Sequence, residues 1–532
     1  MIKESCTYDY QEVQMRSTTS IPAEILQFKP CNSTRIRNDN GIFRVYKYKS
    51  VKLPSGKWSN DYGYLIGKII PGVGFIPNKR YQKELEEAER AKKKEIQKQQ
   101  LDSDQITDLA YGQYGLLHFL ADDIFQKLKA CFSEEKAAQI YSLALILCAE
   151  GFTHMDQIND IYEVSFLSWL FHHYDFKMGS TALSNLLKEL GMRTNPIRLF
   201  EQSLIDTSSK NIAIDGHVIR SSSEENDLAE TGYKLRQLGS TQINLLIAYD
   251  TINEAPLMYK SFRGSSVDKS SAKNFIESRS FKNTKFVVDG GFYSKTILDL
   301  MSKNGNTYII PVHTNHAEFK KMKDNLTFSS GEFIYSSGKK ETARIMYQEK
   351  VLPEGKRLLV FKDMDENNSK RKSYKRNMDL EETGYTQEGY DKYCEWWGVY
   401  VFETNSLEPA DAIFRSYKKR WGIETYNNYI KNYADFNDLK MQDYYHAHGF
   451  DFIMLVSGLI HTRLNTAVRN LNKTNLSTFD ILLKARKLRM VCTDDCWQIQ
   501  NKRTKDMLIF EQMGFKPELT LPLKSSYVQK TQ

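Results

Sequence analysis

Tyr417, Arg420, Glu424 and Lys431 stand in FRSYKKRWGIETYNNYIKNYADF with the spacing Y-x2-R-x3-E-x6-K. On a single helix, at about 100° per residue, the four fall within a wedge of about 60°. Ile423, Tyr426, Ile430 and Tyr433 fall on the opposite side, as an apolar stripe at helical spacing. The segment therefore predicts a helix anchored by one face. Its other face presents a tyrosine, two cations and one carboxylate along about 20 Å. A carboxylate flanked by cations suits a metal site lying beside a phosphate backbone.

A metal site needs more than one carboxylate, and two short apolar runs offer them. Ile212-Ala213-Ile214-Asp215 reads as a strand ending in a carboxylate. Phe286-Val287-Val288-Asp289 reads as another, broken by Gly290-Gly291. Residues at the carboxyl ends of strands in an open α/β sheet line the crevice where ligands bind. Asp206, Asp250 and Asp299 compete for the same role. Asp206 reads as part of a turn, Asp250 as part of a hairpin turn and Asp299 as a helical residue, so strand-end placement favours Asp215 and Asp289. With Glu424, three acidic oxygen donors without histidine or cysteine suit hard cations such as Mg²⁺ or Mn²⁺. Two such ions about 3.5–4 Å apart perform phosphodiester chemistry by activating a water or 3′-hydroxyl and stabilising the leaving oxygen.

The elements that must position these groups follow from periodicity and punctuation. Residues 1–80 read as a small β-hairpin module, with strands at Phe43 to Tyr48 and Tyr62 to Ile70 around the turn Pro54-Ser55-Gly56. Residues 81–104 form a charged run that reads as a solvated linker helix. Residues 105–207 are helical in pattern, a region with the size but no clear recognition helix for reading DNA. Residues 208–312 give the order β-β-β-α-β-α-β, whose strand–helix–strand piece predicts parallel strands. Residues 313–408 read as a β-rich insertion. Within it, KDMDENNSKRKSYKRNMDLEE reads as a loop carrying Lys370, Arg371, Lys372, Lys375 and Arg376 around Tyr374. That loop is either solvated or tracks phosphates with an aromatic stacker. Residues 409–465 carry the glutamate helix, and 466–532 read as a mostly helical tail.

Composition is compatible with this chemistry without demanding it. The chain has 532 residues, a net charge of +8 and a pI of about 8.8, a mild bias toward a polyanionic partner. Seven cysteines without framework spacing predict a reducing compartment. Cys492 and Cys496 form a C-x3-C pair that lacks further ligands nearby for zinc. No signal peptide and no membrane-spanning run is legible, so the expected location is cytoplasmic.

The stretches IAIDGHVI, FVVDGGFYSKTILDLM and YKKRWGIETYNNYIK together resemble the DDE transposases of bacterial insertion sequences. The resemblance covers about 208–465 and is to the insertion-sequence-four-like group marked by the Y-R-E-K signature. It implies an RNase H-like catalytic core with a mixed five-stranded sheet, interrupted by a β-rich insertion and preceded by a helical region. It implies Asp215, Asp289 and Glu424 as catalytic metal ligands for two Mg²⁺ or Mn²⁺ ions, and Tyr417, Arg420 and Lys431 as the grip on the transposon end. The implied partner is double-stranded DNA, as element ends and target, held by a homodimer in a synaptic complex near the nucleoid. An insertion tryptophan stacks a flipped base in some members, which makes Trp396, Trp397 and Tyr400 candidates against a core-strand reading. Lys372 and Lys375 are further candidates for DNA contact, and His217, two residues after Asp215, either faces the site or merely packs or touches DNA loosely.

Overall fold

The computed structural model describes residues 21–31, 33–52, 58–88, 107–151, 153–221, 226–232, 240–266, 268–313, 315–336, 342–433, 443–471, 475–493 and 495–524. The chain divides into two compact units, Met1–Ile106 and Thr107–Gln532.

The first unit is an antiparallel meander of β1 (Thr34–Asp39), β2 (Ile42–Lys52), β3 (Trp58–Ile70) and β4 (Gly74–Pro77). Asn40 and Gly41 link β1 to β2 with φ of 55° and 86°, the positive values that a two-residue hairpin of this hand demands. Alternating Ile36, Val45, Ile66 and Ile69 form its core. The expected hairpin is thus half of a four-stranded sheet, and its turn at 54–56 lies outside the described residues. The charged run starts as a helix over 79–88, and the remainder of 81–104 lies outside them.

The second unit opens with β5 (Asp108–Ala110) and a helical layer: α1 (Gly112–Cys131), α2 (Glu134–Glu150), α3 (Ser180–Met192) and α4 (Thr194–Asp206). Then come β6 (Asn211–Ser221), β7 (Thr241–Asp250), β8 (Ala255–Arg263), α5 (Asp268–Glu277), β9 (Lys285–Val288), α6 (Lys295–Met301) and β10 (Thr307–Pro311). This is the expected β-β-β-α-β-α-β order. The pairs β6–β9 and β9–β10 are parallel, and β6–β7 and β7–β8 are antiparallel.

The insertion corrects two expectations. Its strands β11 (Gly331–Ser336), β12 (Thr342–Val351), β13 (Arg357–Asp363) and β14 (Val399–Thr404) do not stand apart from the core. Through β14 on β10 they extend one nine-stranded sheet, in the order β11-β12-β13-β14-β10-β9-β6-β7-β8, rather than leaving five strands. The expected basic loop is the helix α7 (Met364–Asp379). Asp363 caps it by accepting from the Glu366 amide at 2.9 Å, and Asp365 and Glu366 favour its first turn.

Helices α8 (Ala410–Lys419), α9 (Trp421–Tyr433) and α10 (Tyr444–Arg469) follow. The end of the chain is less helical than expected. β15 (Arg489–Cys492), β16 (Cys496–Gln500) and β17 (Thr520–Pro522) pair with one another, and β15 returns to β5.

Helix α10 is buried for most of its length and packs on α3. Glycines make the approach possible. A Cβ at Gly449 would meet the backbone of Leu187, and one at Gly191 the backbone of Tyr445. Gly449→Ala is therefore expected to destabilise the second unit by about 2–3 kcal/mol. Chemical denaturation would read this as a lower midpoint, and an unmoved midpoint would mean that the helices part without cost.

Glu201 of α4 is buried against Arg279, with 3% and 10% side-chain exposure. Burial pushes its carboxyl up to about 7, against the pull of the guanidinium. The folded chain thus keeps a proton that the unfolded chain has shed. This contribution is fully present below 4.5 and is lost as pH rises through about 7. Its slope is up to about 1.4 kcal/mol per pH unit. Glu201→Gln should flatten the melting temperature across that window, and an unaltered slope would assign the proton to another group.

Candidate active site

The two aspartates leave neighbouring strands at one level. In the parallel β6–β9 pair Ile214 lies beside Val288, so Asp215 and Asp289 follow abreast. Asp289 ends its strand as expected and caps a short turn, its Oδ1 accepting from the Gly290 amide at 2.8 Å. Asp215 does not end its own. β6 continues to Ser221, because β7 keeps pairing through Gly216 as far as Ser221 beside Thr241. Only the parallel ladder stops, where Gly290 turns the chain away.

The single helix expected over 417–431 is two. Tyr417 belongs to α8, Arg420 occupies the junction, and Glu424 begins α9. Short-range bonds tighten the chain there: the Arg420 amide donates to the Tyr417 carbonyl, and the Ile423 amide to the Arg420 carbonyl, both at 3.0 Å. The anchoring face is as expected, with Ile423, Tyr426 and Ile430 buried. The Tyr259 hydroxyl of β8 donates to that of Tyr426, tying α9 to the sheet. Tyr433 and Lys431 have side chains outside the described residues.

The opposite face meets the aspartates. Arg420 Nη2 donates to Glu424 Oε1 at 3.1 Å, and its Nη1 lies 3.9 Å from Asp215 Oδ1. Asn427, one turn beyond Glu424, donates from Nδ2 to Asp215 Oδ2 at 3.3 Å. Tyr417 packs on Phe402 of β14 with ring centroids 4.3 Å apart, and the Arg420 guanidinium sits 5.5 Å from the Tyr417 ring. So a residue of the insertion strand β14 buttresses the tyrosine of the motif.

The charges respond to this convergence. Burial pushes the Asp215 carboxyl above its ordinary range, Arg420 and the Gly216 amide pull it back, and Asp289 and Glu424 add to the rise. Burial works against the Arg420 cation, but Tyr417, Asp215, Asp289 and Glu424 together hold it above its ordinary range. Burial also raises the Tyr417 hydroxyl. Asp215, Asp289 and Glu424 thus share one electrostatic neighbourhood. Among the described residues, no three His, Cys, Asp or Glu side chains stand at metal-ligating spacing, and Arg420 bridges two of the carboxylates.

Asp250 and Asp299 are placed as structural residues. Asp250 is buried and accepts from Ser209, Ile252 and Asn253, and Asp299 lies within α6. Asp206 ends α4 instead of lying in a turn. His217 is buried on β6. Cys492 and Cys496 flank the β15–β16 turn, where Thr493 Oγ1 donates to the Cys496 carbonyl at 2.7 Å.

The aromatic and basic candidates of the insertion divide. Trp397 packs on Tyr374 and Tyr390, with centroids 5.2 and 5.7 Å apart. Tyr374 is therefore a packing residue and not a free stacker. Trp396 packs on Phe319. Lys375 lies 5.1 Å from the Tyr390 ring, and Lys372 is exposed on α7. Tyr400 alone faces the motif helices. With Tyr335, Tyr417, Lys418, Trp421 and Glu424 it lines an open cavity of about 930 Å³, which Asp363, Asp365 and Glu366 also line. Trp421 is 68% exposed at its rim. Neither Asn427 nor this cavity stood out in the sequence. For Asn427 the available signal was its position three residues after Glu424, on the same helical face.

Residues 207–457 match the family model described as the transposase DDE domain, a span that contains Asp215, Asp289 and Glu424. No curated protein matches the chain. Among solved structures, the cryo-EM structure of the piggyBac transposase synaptic complex with hairpin DNA aligns with 67% of this chain and 71% of that chain. The two share 10% sequence identity, and the TM-score is 0.35.

Proposed function

We propose that this chain is a DDE transposase with an RNase H-like catalytic core, of the insertion-sequence-four-like group with the Y-R-E-K signature. It binds the terminal inverted repeats of a bacterial insertion sequence, cuts at the element ends and joins the free 3′ ends to target DNA. The observation that carries this reading is the arrangement of Asp215 and Asp289 abreast on parallel strands, facing Glu424 on α9, within the segment that matches the transposase DDE domain.

In donor chemistry Asp215, Asp289 and Glu424 suit two hard divalent ions, Mg²⁺ or Mn²⁺, which they would hold with Arg420 withdrawn from Asp215 and Glu424. When bound, such ions supply an activated water or hydroxyl and a charge for the leaving oxygen. The chain's own contribution is positional. Arg420 and Tyr417 stand where a backbone phosphate would lie beside the carboxylates, and the cation balances charge as the phosphorus is attacked. Lys431, seven residues after Glu424 in the motif, extends that grip. Exposed Lys372 and Lys375 on α7 and the aromatics beside them, Trp397 included, offer a second contact along the DNA. A homodimer would bring two ends together in one synaptic complex, in the cytoplasm beside the nucleoid. No helix among the described residues is long and apolar enough to cross a membrane.

The deciding assay incubates the purified chain with end-containing DNA and Mn²⁺. Cleavage at the ends, joining to a target plasmid and loss of both in Asp289→Asn are expected. Equal cutting of random competitor DNA would instead make the chain a general nuclease, and end binding without cutting would make it a silent transposase-derived binder.

A further inference from the structure

Asn427 is 8% exposed and lies one turn after Glu424 on the face that meets Asp215. Its Nδ2 donates to Asp215 Oδ2 at 3.3 Å. Its Oδ1 is fully enclosed and has no hydrogen-bond partner among the described residues. A buried carbonyl oxygen without a donor is costly to the fold. An apolar side chain of similar size would avoid that cost. The residue therefore does something other than stabilise the helix.

Its surroundings say what. Asp215, which accepts that bond, is itself under the charges of Arg420, Asp289 and Glu424, and among the described residues Arg420 is engaged with Asp215 and Glu424. An unpartnered oxygen on the amide that already touches Asp215 is a place for a cation. Hard divalent cations accept amide carbonyl oxygens together with carboxylates. An amide also adds an oxygen without a fourth negative charge beside three carboxylates. A carboxamide serves both situations. Its N–H₂ donates to Asp215, and rotation about its terminal bond offers the oxygen instead.

We propose that the carboxamide of Asn427 is a fourth oxygen donor of the divalent-cation site, beside Asp215, Asp289 and Glu424. This inference rests on the transposase reading above. The test is Mn²⁺ binding to the purified full chain, followed by the paramagnetic resonance signal of free Mn²⁺, in the wild type, Asn427→Ala, Asn427→Asp and Asp215→Asn. Asn427→Ala is expected to weaken binding about tenfold, and Asn427→Asp, which keeps the size and adds a charge, to tighten it. Unchanged affinity in Asn427→Ala with weakened affinity in Asp215→Asn would overturn the inference and leave the transposase reading intact. Weaker binding in Asn427→Asp would also overturn it, since only the N–H₂ would then matter. Unchanged affinity in Asp215→Asn would remove the cation site itself, and the transposase chemistry with it. Should Asn427→Ala melt early, the isosteric Asn427→Asp decides alone.

Discussion

Asp289→Asn and Asp215→Asn are both expected to lose end cleavage by at least about a thousandfold, a barrier increase of roughly 4 kcal/mol, while parting in stability. Asp289 is exposed at the end of β9, and the one described hydrogen bond of its side chain is accepted from the Gly290 amide. An asparagine oxygen accepts the same bond, so the melting temperature should hold. Asp215 is mostly buried, and burial with the charges of Asp289 and Glu424 raises its carboxyl despite Arg420. A carboxyl held above its ordinary range contributes its stability at acid pH and loses it as pH rises through the folded value. Near neutrality the ionised Asp215 therefore burdens the fold, and the neutral amide should raise the melting temperature there but not in acid. End binding, measured without metal, should survive in both variants. Cleavage that persists in either would remove that aspartate from the reaction, and a fall in stability for Asp215→Asn at neutral pH would show Arg420 to be the stronger influence on it.

The strands that carry the aspartates were legible because they are short apolar runs closed by glycine or by a charged residue. The parallel pairing of β9 and β10 followed from the helix between them. Some readings failed for local reasons. The first strand read as ending at Asp215, yet β7 keeps pairing through Gly216, and β6 runs on to Ser221. Helix α7 has almost no apolar stripe, so periodicity was silent. Its signature lay in the cap, Asp363 with Glu366 three residues on. The kink at Arg420 was invisible because both halves keep helical spacing. The joining of the insertion to the core sheet, and the return of β15 to β5, depend on partners far apart in sequence. No local pattern encodes them. The convergence of Asp215 and Glu424 is long-range in the same way, and there the motif spacing helped because it named the face of α9 that must look inward.

Arg420→Ala is the more discriminating substitution, because Arg420 touches both halves of the proposed chemistry. As a phosphate contact, its loss should weaken end binding and lower the salt dependence of log K by about one unit of slope. As the bridge between Asp215 and Glu424, its loss should leave two carboxylates without their shared cation. Asp215 would then rise further, since the first influence opposing its burial is gone. Mn²⁺ should even so bind Arg420→Ala at least as tightly as the wild type, for the ion no longer competes with a guanidinium for the same oxygens. Cleavage should nonetheless fall by about a hundredfold to a thousandfold, the usual cost of removing one charge-stabilising donor from a transition state. The combination of weaker DNA binding, undiminished metal binding and slow cleavage is specific to a residue that serves phosphate and carboxylate in turn. Arg420→Lys sharpens the point. A lysine keeps the charge but not the fork that reaches both carboxylates, so it should restore DNA binding more fully than cleavage. If Arg420→Ala bound Mn²⁺ much more weakly and DNA normally, the residue would be a structural strut for the carboxylates and the grip on DNA would have to lie elsewhere along α8 and α9.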